Sequence, residues 1–373
     1  MTILTEQAAG EHLVARAFAP GMPGFVGIAV DLLLDPACAP TVRRPLRHGF
    51  LDARSPRVAV VSAPPSPGLE VALRRTSDDL AAATRVMDRH GLSVLPFATD
   101  TVHPEGPVHA YGTATAGIRI GLEAGLHGDG PLGIDRRWIL AHTVAPVLAA
   151  AFANAPLRQG RPTGWRSVRQ ALRRDLPVLP GRAGSAPPIQ RVPDNVAEGL
   201  GSRPAIDART AWVAHVLDAP TVTGRSLRDR LRTGARLTVS DLDRHLAGLR
   251  PPVAARGHLE IDVADRQPGA GWRVPAAVIT TLLDDPRAAE EAYAATAHLA
   301  AEPRLWERAA RDALTDPVLA DAARACFLAA YGALARQGAS RELRNALADF
   351  TETYVNRNRC PADDLLDRTA GRV

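Results

Sequence analysis

The stretch TAGIRIGLEAG at residues 115–125 alternates Ile118, Ile120 and Leu122 with Arg119, Gly121 and Glu123. Successive side chains of a strand point to opposite faces, so this is a half-buried strand with one apolar and one polar face. Working outward, GFVGIAVDLLLD at 24–35 is an apolar run bounded by glycine and by Asp35-Pro36, and RVAVVSA at 57–63 stops at Pro64-Pro65. Both read as strands, as do the short run at 92–97 and the alternating GHLEIDVA at 257–264. Helical spacing fills the gaps: 1–20, ending before Pro20; 68–91, with Leu69, Leu73, Leu80 and Val86 apolar and Gly91 as the stop; and the apolar 134–153, running into Asn154-Ala155-Pro156. Residues 240–250 form a helix opened by Ser240 or Asp241 and closed before Pro251, and 274–349 is helical almost throughout. Residues 176–206, rich in Pro, Gly, Arg and Ser, read as a flexible loop or insertion. Separated strands followed by helices indicate an α+β class with an antiparallel sheet.

The 373 residues, 46% hydrophobic, fit one large domain or two small ones. Aromatics are only 4%, so Leu, Val and Ala must fill the core, and arginine supplies every strong positive charge because lysine is absent. The balance is 45 basic to 40 acidic residues, with a pI near 9.7. Such a surplus favours a surface that meets phosphates, and its distribution matters more than its total. Cys38, Cys326 and Cys360 are far apart and odd in number, so neither a disulfide frame nor a zinc site is indicated. The N-terminus lacks an apolar signal region, and no stretch approaches about 20 uninterrupted apolar residues. A cytoplasmic protein with no membrane contact is expected.

Three segments carry a resemblance. The first is AHTVAPVLAAAFANAPLRQGRPTGWRSVRQ at 141–170. The second is DLDRHLAGLRPPVAARGHLEIDVADRQP at 241–268, followed by Trp272-Arg273-Val274-Pro275 and Leu282-Leu283-Asp284-Asp285-Pro286. The third is RNRCPADDLL at 357–366. In consistent order across most of 24–366, the chain resembles the glutamate–cysteine ligases of the actinobacterial ergothioneine pathway. The resemblance implies a single domain over 1–373, whose curved sheet forms a funnel-like site with helices packed outside. It also implies chemistry that joins a carboxylate to an amine through an acyl phosphate, using ATP and magnesium.

The departures from the family pattern fall on the strands. The first strand of the family resembles G-x-E-x-E; here it is Gly27-Ile28-Ala29-Val30-Asp31. Val60 stands where the family shows an acid, before Val61-Ser62-Ala63-Pro64-Pro65. The family's T-x-x-x-Q-V-N-L-D maps to 115–123, with Arg119 for the amide and Gly121 for the asparagine, and Asp262 occupies a place that is usually arginine. Magnesium takes hard oxygen ligands. Losing two of three carboxylates therefore argues against the usual ATP site, and no metal and no cofactor is expected.

Glu260 and Asp31 are the candidate catalytic groups, as a base or an ammonium-binding carboxylate; the alternative for either is an ion pair with an arginine such as Arg119. Thr115, Arg119, Asn154, Trp165, Arg166 and Asp262 are the candidate substrate contacts, with Arg119 as a carboxylate or phosphate clamp and Trp165-Arg166 either binding an amino acid or bracing the helix. His142 reads as a packing group. Two basic runs suggest phosphate-backbone contact: Arg225, Arg228, Arg230, Arg232 and Arg236 in one, and Arg169 and Arg173 in 158–174. The usual reading of such a run is a solvated face. Taken together, these features lead us to expect an aminoacyl-tRNA-dependent transferase. It would move an amino acid from charged tRNA onto a small amine or hydroxylamine by direct attack on the ester, without ATP and in natural-product biosynthesis. The alternatives are an ATP-dependent glutamate–cysteine or related amino-acid ligase and a non-catalytic binding paralogue.

Overall fold

The structure, a computed structural model, describes residues 4–35, 43–99, 114–174, 207–221 and 224–371. The expected insertion at 176–206 lies outside the described residues. Helix α1 (Glu6–Ala17) leads into β1 (Phe25–Asp35), and short strands β2 (Arg44–Pro45), β3 (Phe50–Ser55), β4 (Val58–Ser62) and β5 (Ser66–Pro67) follow. After α2 (Leu69–Arg89) come β6 (Ser93–Leu95) and β7 (Gly117–Leu122). Then come α3 (Ile134–Ala151), the small pair β8 (Leu157–Arg158) and β9 (Arg161–Pro162), and α4 (Val168–Arg173). Helices α5 (Ala208–Asp218), α6 (Leu227–Arg232) and α7 (Val239–Gly248) precede β10 (Val253–Ala255) and β11 (Leu259–Asp265). The remainder is helical: α8 (Arg273–Asp284), α9 (Pro286–Thr296), α10 (Leu305–Arg311), α11 (Pro317–Arg336), α12 (Arg341–Thr353) and α13 (Pro361–Ala370).

The main sheet is antiparallel, in the order β10-β11-β7-β1-β4-β3-β2, with β5 and β6 also paired to β1. The chain is therefore α+β, as separated strands followed by helices predict. One face of the sheet carries Val26, Ile28, Val30, Ile118, Ile120, Leu122, Leu259 and Ile261, all buried in one core with the helices. Helices α2, α3 and α8 lie against these strands. Aromatics are few, yet Phe152, Phe327 and Phe350 gather at 5.3–5.7 Å between α3, α11 and α12. Helix α11 is long and apolar enough to cross a membrane by length and composition, but just over half of it is buried against its neighbours. Cys326 and Cys360 are free and buried.

Local differences from the expectation have simple causes. Helix α7 starts earlier than Ser240: the Thr238 hydroxyl accepts the Asp241 N–H, and the Asp241 carboxylate accepts the Thr238 N–H. This reciprocal pair satisfies two otherwise orphaned donors. Two bulges interrupt the sheet, between Ala53 and Ser55 on β3 and between Ile261 and Ala264 on β11. A bulge sets two residues against one and changes which side chains share a face. Nothing in a period-2 pattern marks either bulge, and both shape the site.

Candidate active site

The polar face is built from residues in register. On β1, Gly27 faces Gly121 and Ala29 faces Arg119; Gly121 in turn faces Glu260 on β11. Asp31 faces Val60, which faces Asp52. Glycine and alanine thus floor the middle of the face, and charges surround them.

Asp31 is fully buried. Its carboxylate accepts from Arg54 at 2.8 Å and from the Gly117 N–H at 3.1 Å, and Arg119 lies at 3.6 Å. Arg54 lies at the bulge in β3. The bulge in β11 changes which side chains share the face on the far side. Asp262 and Asp265 are an odd number of positions apart and would point to opposite faces of a regular strand, yet both reach Arg169. Arg169 is 1% exposed, and Arg173 bonds the other Asp262 oxygen at 2.8 Å. Arg169 also fills the space beside Gly117, where a Cβ would lie 2.2 Å from its guanidinium.

Electrostatics follow from this packing. Burial opposes ionisation of Asp262, but Arg173 and Arg169 outweigh it and hold the carboxyl well below the usual range. Burial pushes Asp265 up, with Arg169 opposing. Burial lowers Arg250 to about 10, helped by the like charges of Arg256, Arg54 and Arg119. Arg119 is held more firmly protonated than an ordinary arginine, because Asp31, Asp262 and Glu260 outweigh its burial. Glu260 accepts from Arg256 at 2.9 Å and keeps about a fifth of its side chain exposed. His258 lies beside it, and burial lowers its pKa.

The expected site residues therefore separate into two groups. Asp31, Arg119, Glu260 and Asp262 share the polar face, Asp31 and Asp262 as buried anchors for arginines. Thr115 is half-buried and bridges Thr99 at the end of the face. Asn154, Trp165 and Arg166 brace the framework instead. The Asn154 side chain donates to the Arg266 carbonyl, and its backbone N–H donates to Asp265. Trp165 packs with Val168, Ala171 and Ala310, and Arg166 pairs with Asp363 at 2.9 Å. Arg169 and Arg173 do not lie on a nucleic-acid surface: their guanidinium groups point inward because Asp262 and Asp265 need counter-charge. Arg228 pairs with Glu6 and Asp218, whereas Arg225, Arg232 and Arg236 are exposed and Arg230 is half-exposed. Four groups of the polar face escaped sequence reasoning: Arg54, Arg256, His258 and Asp265. Three of them, Arg256, His258 and Asp265, lie in the matched segment at 241–268; alternation sets His258 on the face of Glu260 and Asp262 and could have found it, whereas the bulge hides Asp265.

No group of three or more His, Cys, Asp or Glu side chains among the described residues is arranged to hold a metal ion. Asp31, Glu260, Asp262 and Asp265 each already face an arginine. The described residues therefore do not fit a carboxylate-held magnesium cluster.

An antiparallel sheet with one helix-covered face and one charged, partly open face defines an α+β protein. Residues 113–373 match glutamate–cysteine ligase family 2, and the chain belongs to that family. It is 32% identical over 98% of its length to the glutamate–cysteine ligase EgtA of Mycolicibacterium smegmatis, covering 92% of that protein. It is 30% identical over 98% of its length to EgtA of Mycobacterium tuberculosis, covering 91%. Among solved structures, a glutamate–cysteine ligase from Francisella tularensis in complex with AMP matches 94% of this chain and 85% of its own, at 12% identity and a TM-score of 0.51. That likeness confirms the fold. The chain is thus an enzyme of the carbon–nitrogen ligase family that the matched segments resemble, and the comparisons favour ligation over the expected tRNA-dependent transfer.

Proposed function

We propose that the protein joins the carboxyl group of one amino acid to the amine of another on the polar face of the sheet, with ATP as the activating substrate. The observation that carries this reading is the 32% identity to a glutamate–cysteine ligase sustained over 98% of the chain. In such a reaction a carboxylate oxygen attacks the γ-phosphorus and ADP leaves. The amine then attacks the acyl carbon, phosphate leaves, and a proton is released from the nitrogen. In this reading Glu260 takes that proton or holds an ammonium; its partial exposure, against the enclosed Asp31, supports that choice. No step is assigned to a metal.

L-glutamate and L-cysteine are the first substrates to test. The purified protein should release ADP and form a dipeptide detectable by mass spectrometry when both are supplied with ATP. Absence of nucleotide consumption with every pairing of the twenty amino acids would overturn the proposal. One observation favours the tRNA-donor reading: the central carboxylates of the polar face are already engaged by arginines, and an aminoacyl ester needs no phosphoryl transfer. Transfer from charged tRNA to a small amine or hydroxylamine without ATP would establish it. A protein active in neither assay would be the non-catalytic paralogue.

A further inference from the structure

Two of the charge changes that set this chain apart from its family lie face to face. Ala29, where the resemblance implies a carboxylate, pairs directly across β1 and β7 with Arg119, where it implies an amide. The centre of the face has therefore lost a negative charge and gained a positive one at a single register pair.

Arg119 is also poorly satisfied. A guanidinium carries five N–H donors and seeks acceptors in a fixed fork. Among the described residues its Nε is buried with no acceptor, and its one ion-pair contact there, Asp31, lies at 3.6 Å, beyond hydrogen-bonding distance. Asp31 is already bonded by Arg54 and the Gly117 N–H. Beside Arg119 the two strands themselves contribute no side chain to the face: Gly27 and Gly121 sit opposite each other. His258 stands 3.1 Å, and Pro65 3.9 Å, from where a Cβ on Gly121 and Gly27, respectively, would lie. The result is a recess floored by backbone, walled by a ring on either side and ended by a guanidinium whose Nε has no acceptor among the described residues. Arg250, Arg256 and Arg54 add positive potential nearby.

We propose that Arg119 seats an anionic oxygen group of the substrate, a carboxylate or a phosphate ester, in the recess over Gly27, Ala29 and Gly121, by direct charge-assisted hydrogen bonds in place of a carboxylate-held divalent cation. This rests on the reading that the polar face is the substrate site. Such bonds are short and about twice as strong as neutral ones, and they satisfy a donor that is otherwise buried and unpaired.

The test is calorimetric titration of the whole chain with L-glutamate and, separately, with AMP, each in EDTA and in magnesium chloride. At least one should bind in EDTA with an affinity within about threefold of that in magnesium. Glutamate binding alone identifies a carboxylate seat, and AMP binding alone a phosphate seat. Arg119→Gln should weaken binding at least about tenfold, and Arg119→Lys should recover part of that loss. The melting temperature of Arg119→Gln should stay near wild type, since Asp31 keeps Arg54. Ala29→Glu, which sets a carboxylate opposite the guanidinium, should abolish binding in EDTA. Binding of neither compound, binding that disappears in EDTA, or binding unchanged in Arg119→Gln overturns the proposal. The ligase assay is read separately. Binding that depends on Arg119 without turnover keeps the seat and removes the ligase, and turnover with EDTA-sensitive binding does the reverse.

Discussion

The two faces of β1, β7 and β11 are made by alternate residues of the same strands, yet different physics holds them. On one face Ile28, Ile120 and Ile261 exclude water against the helices, and stability there is a sum of many small burials. On the other, Asp31, Asp262 and Asp265 are as deeply buried as the isoleucines but survive only because Arg54, Arg169 and Arg173 meet them. The apolar face degrades in proportion to what is removed. The polar face fails by units, because removing one partner strands a buried charge.

The largest expected effect tests that contrast. Arg169→Met keeps most of the side-chain volume but leaves Asp262 and Asp265 short of counter-charge, and it should cost about 3–5 kcal/mol in urea unfolding. Ile120→Val on the opposite face removes one methylene and should cost about 0.5–1.5 kcal/mol. If the arginine variant is the milder of the two, the polar face is not held by its charges.

A pH series sharpens the comparison by addressing the helical layer instead. His142 donates Nδ1–H to the Trp138 carbonyl, and burial pushes it down to about 4. Burial lowers His215 to about 4 as well, with His142 and His245 adding to the effect. These folded-state values lie below the ordinary 6.5, so the unfolded chain takes up protons first as pH falls. Stability is complete above about 6.5 and declines by about 1.4 kcal/mol per pH unit for each group down to about 4. Asp262 acts in another window: its depressed pKa contributes stability above the ordinary carboxyl range and loses it only below about 4. Urea midpoints at pH 7.5 and 5 should therefore differ, and His142→Gln should flatten the difference. A flat wild-type profile between those values would place the two rings in contact with solvent.

Gly117→Ala probes the seam between the faces. A Cβ there would meet the Arg169 guanidinium, whose far end is pinned by two aspartates and cannot swing away freely. The expected cost is about 1–3 kcal/mol. A neutral result would mean that Arg169 has slack, which would also lower the expectation for Arg169→Met.

These contrasts explain what the sequence could and could not disclose. The alternation of Ile118, Ile120 and Leu122 requires only that one face be apolar, so the strand, its partners and the α+β class were legible. The matched segments at 141–170 and 241–268 carried the family. The pairing of Arg169 with Asp262 and Asp265 joins residues 93 and 96 positions apart through a bulge, and no local pattern encodes that. The arginines of 158–174 therefore look the same on paper as those of 225–236. Only burial separates Arg169, which neutralises the interior, from Arg232, which faces water.

The smallest expected effect falls on that second run. Arg228 links α6 to α1 and α5 through Glu6 and Asp218, carboxylates that are 40% and 47% exposed. Ion pairs so open to solvent contribute about 0–1 kcal/mol and are screened further by salt. Arg228→Ala should therefore shift the urea midpoint slightly at low ionic strength and not at all in 1 M salt. Its exposed neighbours Arg225, Arg232 and Arg236 carry no such tie among the described residues, so reversing the charge of Arg232 should leave stability within about 0.5 kcal/mol. Under the ligase reading it should leave dipeptide formation unchanged as well. Salt-sensitive retention of deacylated tRNA by the wild type, lost in Arg228→Glu with Arg232→Glu, would instead give this run a partner and move the weight of the function from the polar face to α6.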